Sequence, residues 1–271
     1  MLESGSSSSD SVLRAKNRWS PRRSHEASSR EAEYTTQFAS GPPYPLTSKR
    51  YARDFDEVKR LGGGGPGDPT PSGRTAEQTE IARFWVESSP LAWNRLARSL
   101  ADHGLDLWQS ARLFALLNTA MTDGYIGTFQ EKYDYNLWRP VTAIHRAAED
   151  RNPRTVPDPT WAPLVTTPPI PDHDSGHSVE GGVAATVMQR VFGTDKLTFE
   201  VCSLTLPSGQ TCDDPSPVTR TFNRLSDAAA ENGESRVLVG FHFRHAVVDG
   251  IAHGRKIGNW AVHHFMQPMH D

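Results

Sequence analysis

The sequence predicts an all-α fold, and three observations carry that reading. Apolar residues recur at helical spacing in successive segments between Thr75 and Glu149. Thr75, Pro90 and Pro140 stand where helices open, and Gly104 stands where one closes. Only Leu197–Leu206 and Val218–Phe222 alternate enough to pair as strands, which predicts a small hairpin insertion around a loop holding Cys202 and Cys212.

In chain order, Met1–Gly73 reads as a largely disordered or extended segment. It carries serine and arginine runs, GPPYP and GGGGPGDPTPSG, which cannot bury enough apolar surface to order themselves. One short helix is expected over Ser48–Leu61, followed by a flexible Gly62–Gly73 linker. The folded helical domain is placed at residues 74–271. Its first helix, Thr75–Glu87, buries Ile81, Ala82, Phe84 and Trp85 behind a threonine cap. Pro90 opens a second helix through Leu91, Trp93, Leu96 and Leu100. Asp106 to Lys132 is a long helix with apolar residues around much of its circumference, which places it in the middle of a bundle. A break over 133–138 leads to a helix from Pro140 to Glu149. A proline-rich extended stretch, Asn152–Pro171, precedes the small-residue helix Ser175–Phe192. Asn223–Asn232 is helical, and a terminal helix runs from Ser235 or Arg244 to His264. In it Gly250, Gly254 and Gly258 recur every four residues, which marks close approach of another helix or a homodimer contact.

Composition removes several function classes. The 271 residues carry a formal net charge of -3, so no global basic field exists for nucleic acid. No run of eighteen apolar residues exists to span a membrane, and residues 1–30 lack the apolar core of a secretory signal. A soluble protein is expected, with its compartment open. Two cysteines make either one hairpin disulfide or two free thiols. His173, Asp174 and His177, and the series His242, His245, Asp249 and His253, suggest divalent-metal ligands. The i, i+4 spacing of the last three reads more simply as an exposed polar stripe.

Three separated pieces carry the chemistry. The first is Lys132 with Arg139 seven positions on; Pro140 keeps Arg139 out of helical dihedrals, so the two cations converge from either side of an elbow. The second is Ser175-Gly176-His177 at a helix start, where free amides attract anions and His177 moves protons near neutral pH. The third is Ser235-Arg236 with His242 six residues later; on an unbroken helix these would diverge, so a bend near Gly240 is required. Together they make a tetrahedral-anion cradle with a nucleophile and a proton donor.

In order and spacing, Lys132-x6-Arg139-Pro140, Ser175-Gly176-His177 and Ser235-Arg236-x5-His242 resemble the signature of the vanadium-dependent haloperoxidase and type-2 phosphatidic acid phosphatase superfamily. KYDYNLWRPVTAI, PDPTWAPL and GFHFR resemble its soluble bacterial haloperoxidase-like branch. The resemblance implies an all-α helical bundle of the vanadium haloperoxidase/acid phosphatase type, binding vanadate, with phosphate able to take the same site. Lys132, Arg139, Ser175, Gly176 and Arg236 would hold the oxygens, His242 would bond vanadium, and His177 would be the acid–base residue. Phe129, Ile170 and Asp174 fall at pocket positions; Asp174 stands where the family usually has proline, and Ala246 where it often has aspartate. The implied activity is oxidation of a halide by hydrogen peroxide, with a small organic acceptor. The alternatives are an acid phosphatase using a phosphohistidine at His242, or an inactive oxyanion-binding helical protein.

Overall fold

The computed structural model describes residues 37–102, 104–206 and 212–267. In chain order the helices are α1 (Lys49–Gly62), α2 (Ala76–Phe84), α3 (Ser89–Ala101), α4 (Leu107–Tyr135), the short α5 (Pro140–His145), α6 (Gly176–Phe192), α7 (Leu225–Leu238) and α8 (Arg244–His264). A two-stranded antiparallel hairpin, β1 (Phe199–Cys202) and β2 (Thr219–Phe222), pairs Phe199 with Phe222 and Cys202 with Thr219. A Cys202–Cys212 disulfide ties the strand to its loop, settling the alternative left open by the sequence. The expected hairpin and helices are therefore present, with α7 longer than expected and α8 starting at the later of its two candidate positions.

The innermost helix is α6, not α4. Every residue from Ser178 to Met188 is buried, which its small side chains permit. Those side chains let α8 lie directly on it: a Cβ added to Gly254 would stand 2.0 Å from the Val179 carbonyl oxygen, so only glycine allows the crossing. The glycine repeat thus marks the internal helix contact rather than an outer face. The long helix α4 buries Leu113, Leu116, Leu117, Ala120 and Met121 but leaves Leu107 and Trp108 exposed at its start. A 29-residue helix overhangs a core of this size, so its high apolar content overstated its burial.

The expected boundary at residues 73/74 falls inside one unit, Phe38–Asp271. Tyr51, Phe55 and Val58 of α1 are buried in a cluster with Ile144, Trp161, Phe243 and Val247. Burying each such side chain is worth about 1.5–3 kcal/mol, enough to hold a short helix. The Gly62–Gly73 segment is bonded loop rather than linker. Gly65 N–H donates to the Ala162 carbonyl at 3.2 Å, Gly73 N–H to Arg60 at 2.8 Å, and Arg74 reaches the Gly63 and Leu238 carbonyls at 2.8 and 3.0 Å. Composition alone could not register these partners, since they lie up to 164 residues away. The disorder expected for residues 1–36 lies outside the described residues. No helix among the described residues is long and apolar enough to cross a membrane.

Candidate active site

The three sequence pieces close on one cavity of about 230 Å³. One wall is the last turns of α4. Tyr125, Thr128, Phe129 and Lys132, spaced i, i+3, i+4 and i+7, form one helix face there. The helix runs on to Tyr135 and stops where Asn136 takes a left-handed conformation (φ 47°). Arg139 follows with extended dihedrals (φ -66°, ψ 156°), as its proline neighbour requires, and turns its guanidinium back into the same cavity. Its Nε donates to the Ile170 carbonyl at 2.7 Å and its Nη1 to the Phe241 carbonyl at 2.9 Å.

The bend required between Arg236 and His242 is present. Helix α7 ends at Leu238 and Gly240 adopts φ 85°, a conformation costly for any side chain. The Phe241 and His242 amides then fold back onto the Arg236 carbonyl at 3.0 and 3.2 Å. This local closure places the sixth residue after the arginine beside it, which gives the spacing its physical meaning. Arg236 is 1% exposed; its Nη2 donates to the Trp85 carbonyl at 2.6 Å and its Nε to Ser235 Oγ at 2.9 Å. The third wall is the start of α6, where Gly176 and His177 line the cavity and no side chain caps the helix. Those first amides supply partial positive charge. His177 Nε2–H donates to the Glu87 carbonyl at 2.9 Å.

His242 sits between opposite charges. Arg139 Nη1 lies 2.8 Å from its Nε2, and Asp172 Oδ1 lies 2.9 Å from its Nδ1. Burial, with Arg139 next in importance, holds the His242 ring well below its ordinary pKa, so it is neutral at pH 7. Arg139 can only donate, so Nε2 accepts from it and the ring proton falls on Nδ1, facing Asp172 across a close contact that falls short of hydrogen-bond geometry. Burial, then Arg236, takes His177 down to about 3. Burial, then Arg139, takes Lys132 to about 7 and Arg236 to about 9. Burial raises Asp172 to about 7 against the pull of Arg139 and Lys132. Crowded cations that cost each other this much favour an anion among them.

Not every predicted site residue reaches the wall. Lys132 lines the cavity, but its Nζ donates to three backbone carbonyls, Pro171 at 3.0 Å, Asp172 at 2.8 Å and Asp174 at 2.5 Å. An ammonium has three donors, so all are engaged. Ser175 is fully buried and off the wall; its Oγ accepts from Ser178 Oγ at 2.9 Å. Asp174 is not a pocket residue either. It turns towards α8, where Oδ2 lies 2.9 Å from His253 Nδ1, and so keeps its charge off the cavity. Phe129 and Ile170 do line it, with Pro168 and Val86.

The stripe on α8 is only partly exposed. His253 is 1% exposed because its ring lies against α4, 3.1 Å from where a Cβ on Gly127 would stand, and it meets Asp174 and Glu131 inside. Glu131, Asp174 and His253, and separately His173, His245 and Asp249, bring ligand atoms within 4.8 Å of one another. They are engaged only in part: Glu131 accepts from the Ser40 amide at 2.6 Å, His173 Nε2–H donates to Gly41 at 3.0 Å and His245 Nε2 pairs with Asp249 at 3.0 Å, while His173 Nδ1, Asp174 Oδ1 and His253 Nε2 have no hydrogen-bond partner.

Sequence reading missed Asp172, Tyr125, Thr128 and Phe241. The α4 pair was recoverable, since it shares the helical face of Phe129 and Lys132. Asp172 gave no local signal; its partner is 70 residues away. Thr128 Oγ1, on the cavity wall, is buried without a hydrogen-bond partner. An unpaired hydroxyl, two guanidinium groups, an uncapped helix start and a neutral imidazole suit vanadate or phosphate as a donor set.

Residues 112–271 match the VCPO second helical-bundle domain family. Vanadium chloroperoxidase of Curvularia inaequalis is 24% identical, over 79% of this chain and 44% of the relative. The crystal structure of the first bacterial vanadium-dependent iodoperoxidase superposes with a TM-score of 0.68 and 30% identity, over 84% of this chain and 53% of that one. An apo-type bacterial vanadium-dependent chloroperoxidase gives 0.65 at 18% identity, over 84% and 52%, a likeness of fold. This chain spans about half the length of these relatives.

Proposed function

The chain belongs to the VCPO second helical-bundle domain family, and from that footing we propose that it is a vanadate-dependent haloperoxidase-type oxidoreductase, turning halide, hydrogen peroxide and a proton into hypohalous acid and water. The observation that supports this most directly is the convergence of Arg139, Arg236, Lys132, the start of α6, His177 and His242 on a single cavity. Arg139, Arg236 and the amides of Gly176 and His177 would hold the oxyanion, and His242 Nε2 would be the vanadium ligand. Bound vanadate would supply a Lewis-acidic centre that activates peroxide for oxygen transfer to halide.

The protein's own residues divide the remaining work. Arg139 donates to His242 Nε2 in this structure, so it must turn from the ring to the anion for Nε2 to bond vanadium. Lys132 acts through its charge and through the three carbonyls it gathers; bonding an anion directly means exchanging one of them. His177 is unprotonated in the crowd of cations, and negative charge in the cavity raises its affinity for a proton, which readies it as the acid. Val86, Phe129, Ile170 and Phe241 make the other side of the cavity apolar, which keeps water scarce and admits a poorly hydrated halide or a small organic acceptor.

A second reading has its own support. A neutral imidazole facing a cationic cradle is also what a phosphoryl-accepting nucleophile requires, so acid phosphatase chemistry through a phosphohistidine at His242 stands next. The test is bleaching of monochlorodimedone with peroxide, bromide, chloride or iodide, and added orthovanadate. Vanadate-dependent bleaching that is lost in His242→Ala is expected. Vanadate-inhibited release of nitrophenol from its phosphate, without bleaching, would install the phosphatase. Silence in both with tight oxyanion binding would leave an inactive anion-binding protein.

A further inference from the structure

We infer that Asp172 is the positioning residue for His242. Its carboxylate accepts from His242 Nδ1–H and so presents the Nε2 lone pair to the bound oxyanion. The inference rests on the oxyanion site proposed above and adds a residue that its three motifs do not contain.

The geometry is specific. Asp172 Oδ1 lies 2.9 Å from His242 Nδ1, short of hydrogen-bond geometry; Asp172 is wholly buried, neither of its carboxylate oxygens has a hydrogen-bond partner, and His242 is 5% exposed, so a small turn of the ring satisfies both groups. A buried carboxylate in reach of one ring nitrogen sets the tautomer, because a neutral imidazole has one donor and one acceptor. Asp172 cannot wander from this position. Its amide donates to the Leu137 carbonyl at 3.0 Å, and its carbonyl accepts from Lys132 Nζ at 2.8 Å. The ring is therefore held between two fixed groups, Asp172 at Nδ1 and Arg139 at Nε2.

The position in the chain is also informative. Residue 246, four after His242, is an alanine, and its carbonyl accepts from the Ser175 amide at 3.0 Å. No carboxylate is available to His242 from its own helix turn. The one it meets comes from the loop just before Ser175-Gly176-His177, on the other side of the site. Asp174, two residues along the same loop, faces the opposite way and serves His253. The loop thus delivers one carboxylate to each of two buried histidines, and only His242 lies on the cavity wall.

Two measurements on the full chain test the role. In vanadate-free protein, the strongly downfield proton resonance of a carboxylate-bonded imidazole Nδ1–H is expected. It should vanish in His242→Ala, which assigns it, and in Asp172→Asn. Its persistence in Asp172→Asn would overturn the inference, and this readout needs no turnover, so it stands even if no peroxidase activity is found. Calorimetric titration with orthovanadate and with inorganic phosphate supplies the second. Vanadate affinity should fall about 10–100-fold in Asp172→Asn, the usual effect of losing a ligand's supporting partner, while phosphate affinity holds or tightens. Parallel loss of both anions would mean that Asp172 only shapes the loop, and no change in either would mean that it does nothing for the ring.

Discussion

Replacing Glu180 by glutamine should stabilise the protein at pH 8 and change little at pH 5. Glu180 lies one turn into α6, below the site, with its carboxyl between the hydroxyls of Ser89 on α3 and Tyr125 on α4. Neither carboxyl oxygen has a hydrogen bond of good geometry, and burial raises the group from 4.5 to about 8. The native state therefore keeps a proton that the unfolded chain releases near pH 4.5. Stability contributed by that proton is present in acid and is lost as pH rises towards 8. At ~1.4 kcal/mol per pH unit the loss reaches about 4 kcal/mol at pH 8 and stays below about 1 kcal/mol at pH 5. Relaxation around the carboxylate halves such figures readily, so about 2–4 kcal/mol is expected. Glutamine has no proton to lose and can bond either hydroxyl. Urea unfolding followed by circular dichroism, at both pH values and one ionic strength, measures it. If both proteins lose the same stability between pH 5 and pH 8, the buried carboxyl is not held protonated and the reasoning fails.

Arg236→Lys keeps the charge but loses the planar fork that joins the Trp85 carbonyl to the cavity, and should weaken phosphate and vanadate binding by about 10–100-fold, read by calorimetry, with the fold retained. Binding of sulfate, a tetrahedral anion with no proton of its own to lose at pH 7, should take up protons there: Lys132 stands near 7, so it is about half protonated, and added negative charge raises both it and His177. Titrations in buffers of different ionisation enthalpy count those protons; release instead of uptake would contradict the crowded-cation picture. Gly254→Ala puts a methyl group 2.0 Å from the Val179 carbonyl, so α6 and α8 must separate, at a cost of about 3 kcal/mol in thermal or urea unfolding. A near-neutral Gly254→Ala would mean that the two helices do not cross there.

The helices were legible where their signals were local. The Thr75 cap, the proline that opens α5 and the glycine face of α8 each operate within a turn or two, and each stands where the sequence placed it. The three cationic pieces were legible as a set because their spacings encode closure, the bend at Gly240 above all. What stayed hidden depends on partners far along the chain. The Gly62–Gly73 segment looks like a linker until Arg74 meets Leu238. Lys132 looks like an anion-binding ammonium until its three donors meet the 171–174 backbone. Asp174 reads as a pocket residue because the sequence does not give its direction; only the fold turns it to His253.

That loop changes how the site should be understood. Pro171 to His177 carries the carbonyls that occupy Lys132, the carboxylate that meets His242 and the imidazole of His177. Groups from the three motifs are thus tied to one short stretch of backbone, so the cradle is not an assembly of independent cations. A charge removed from Lys132 also releases the carbonyls on either side of Asp172 and, with them, the support of the His242 ring. Effects of substitutions here will not add, since sites sharing a network couple. The same coupling explains how the site accommodates Asp174 in its defining loop. The carboxylate is buried on the far side of a backbone that Lys132 already holds, and its charge is met by α8 before it reaches the cavity.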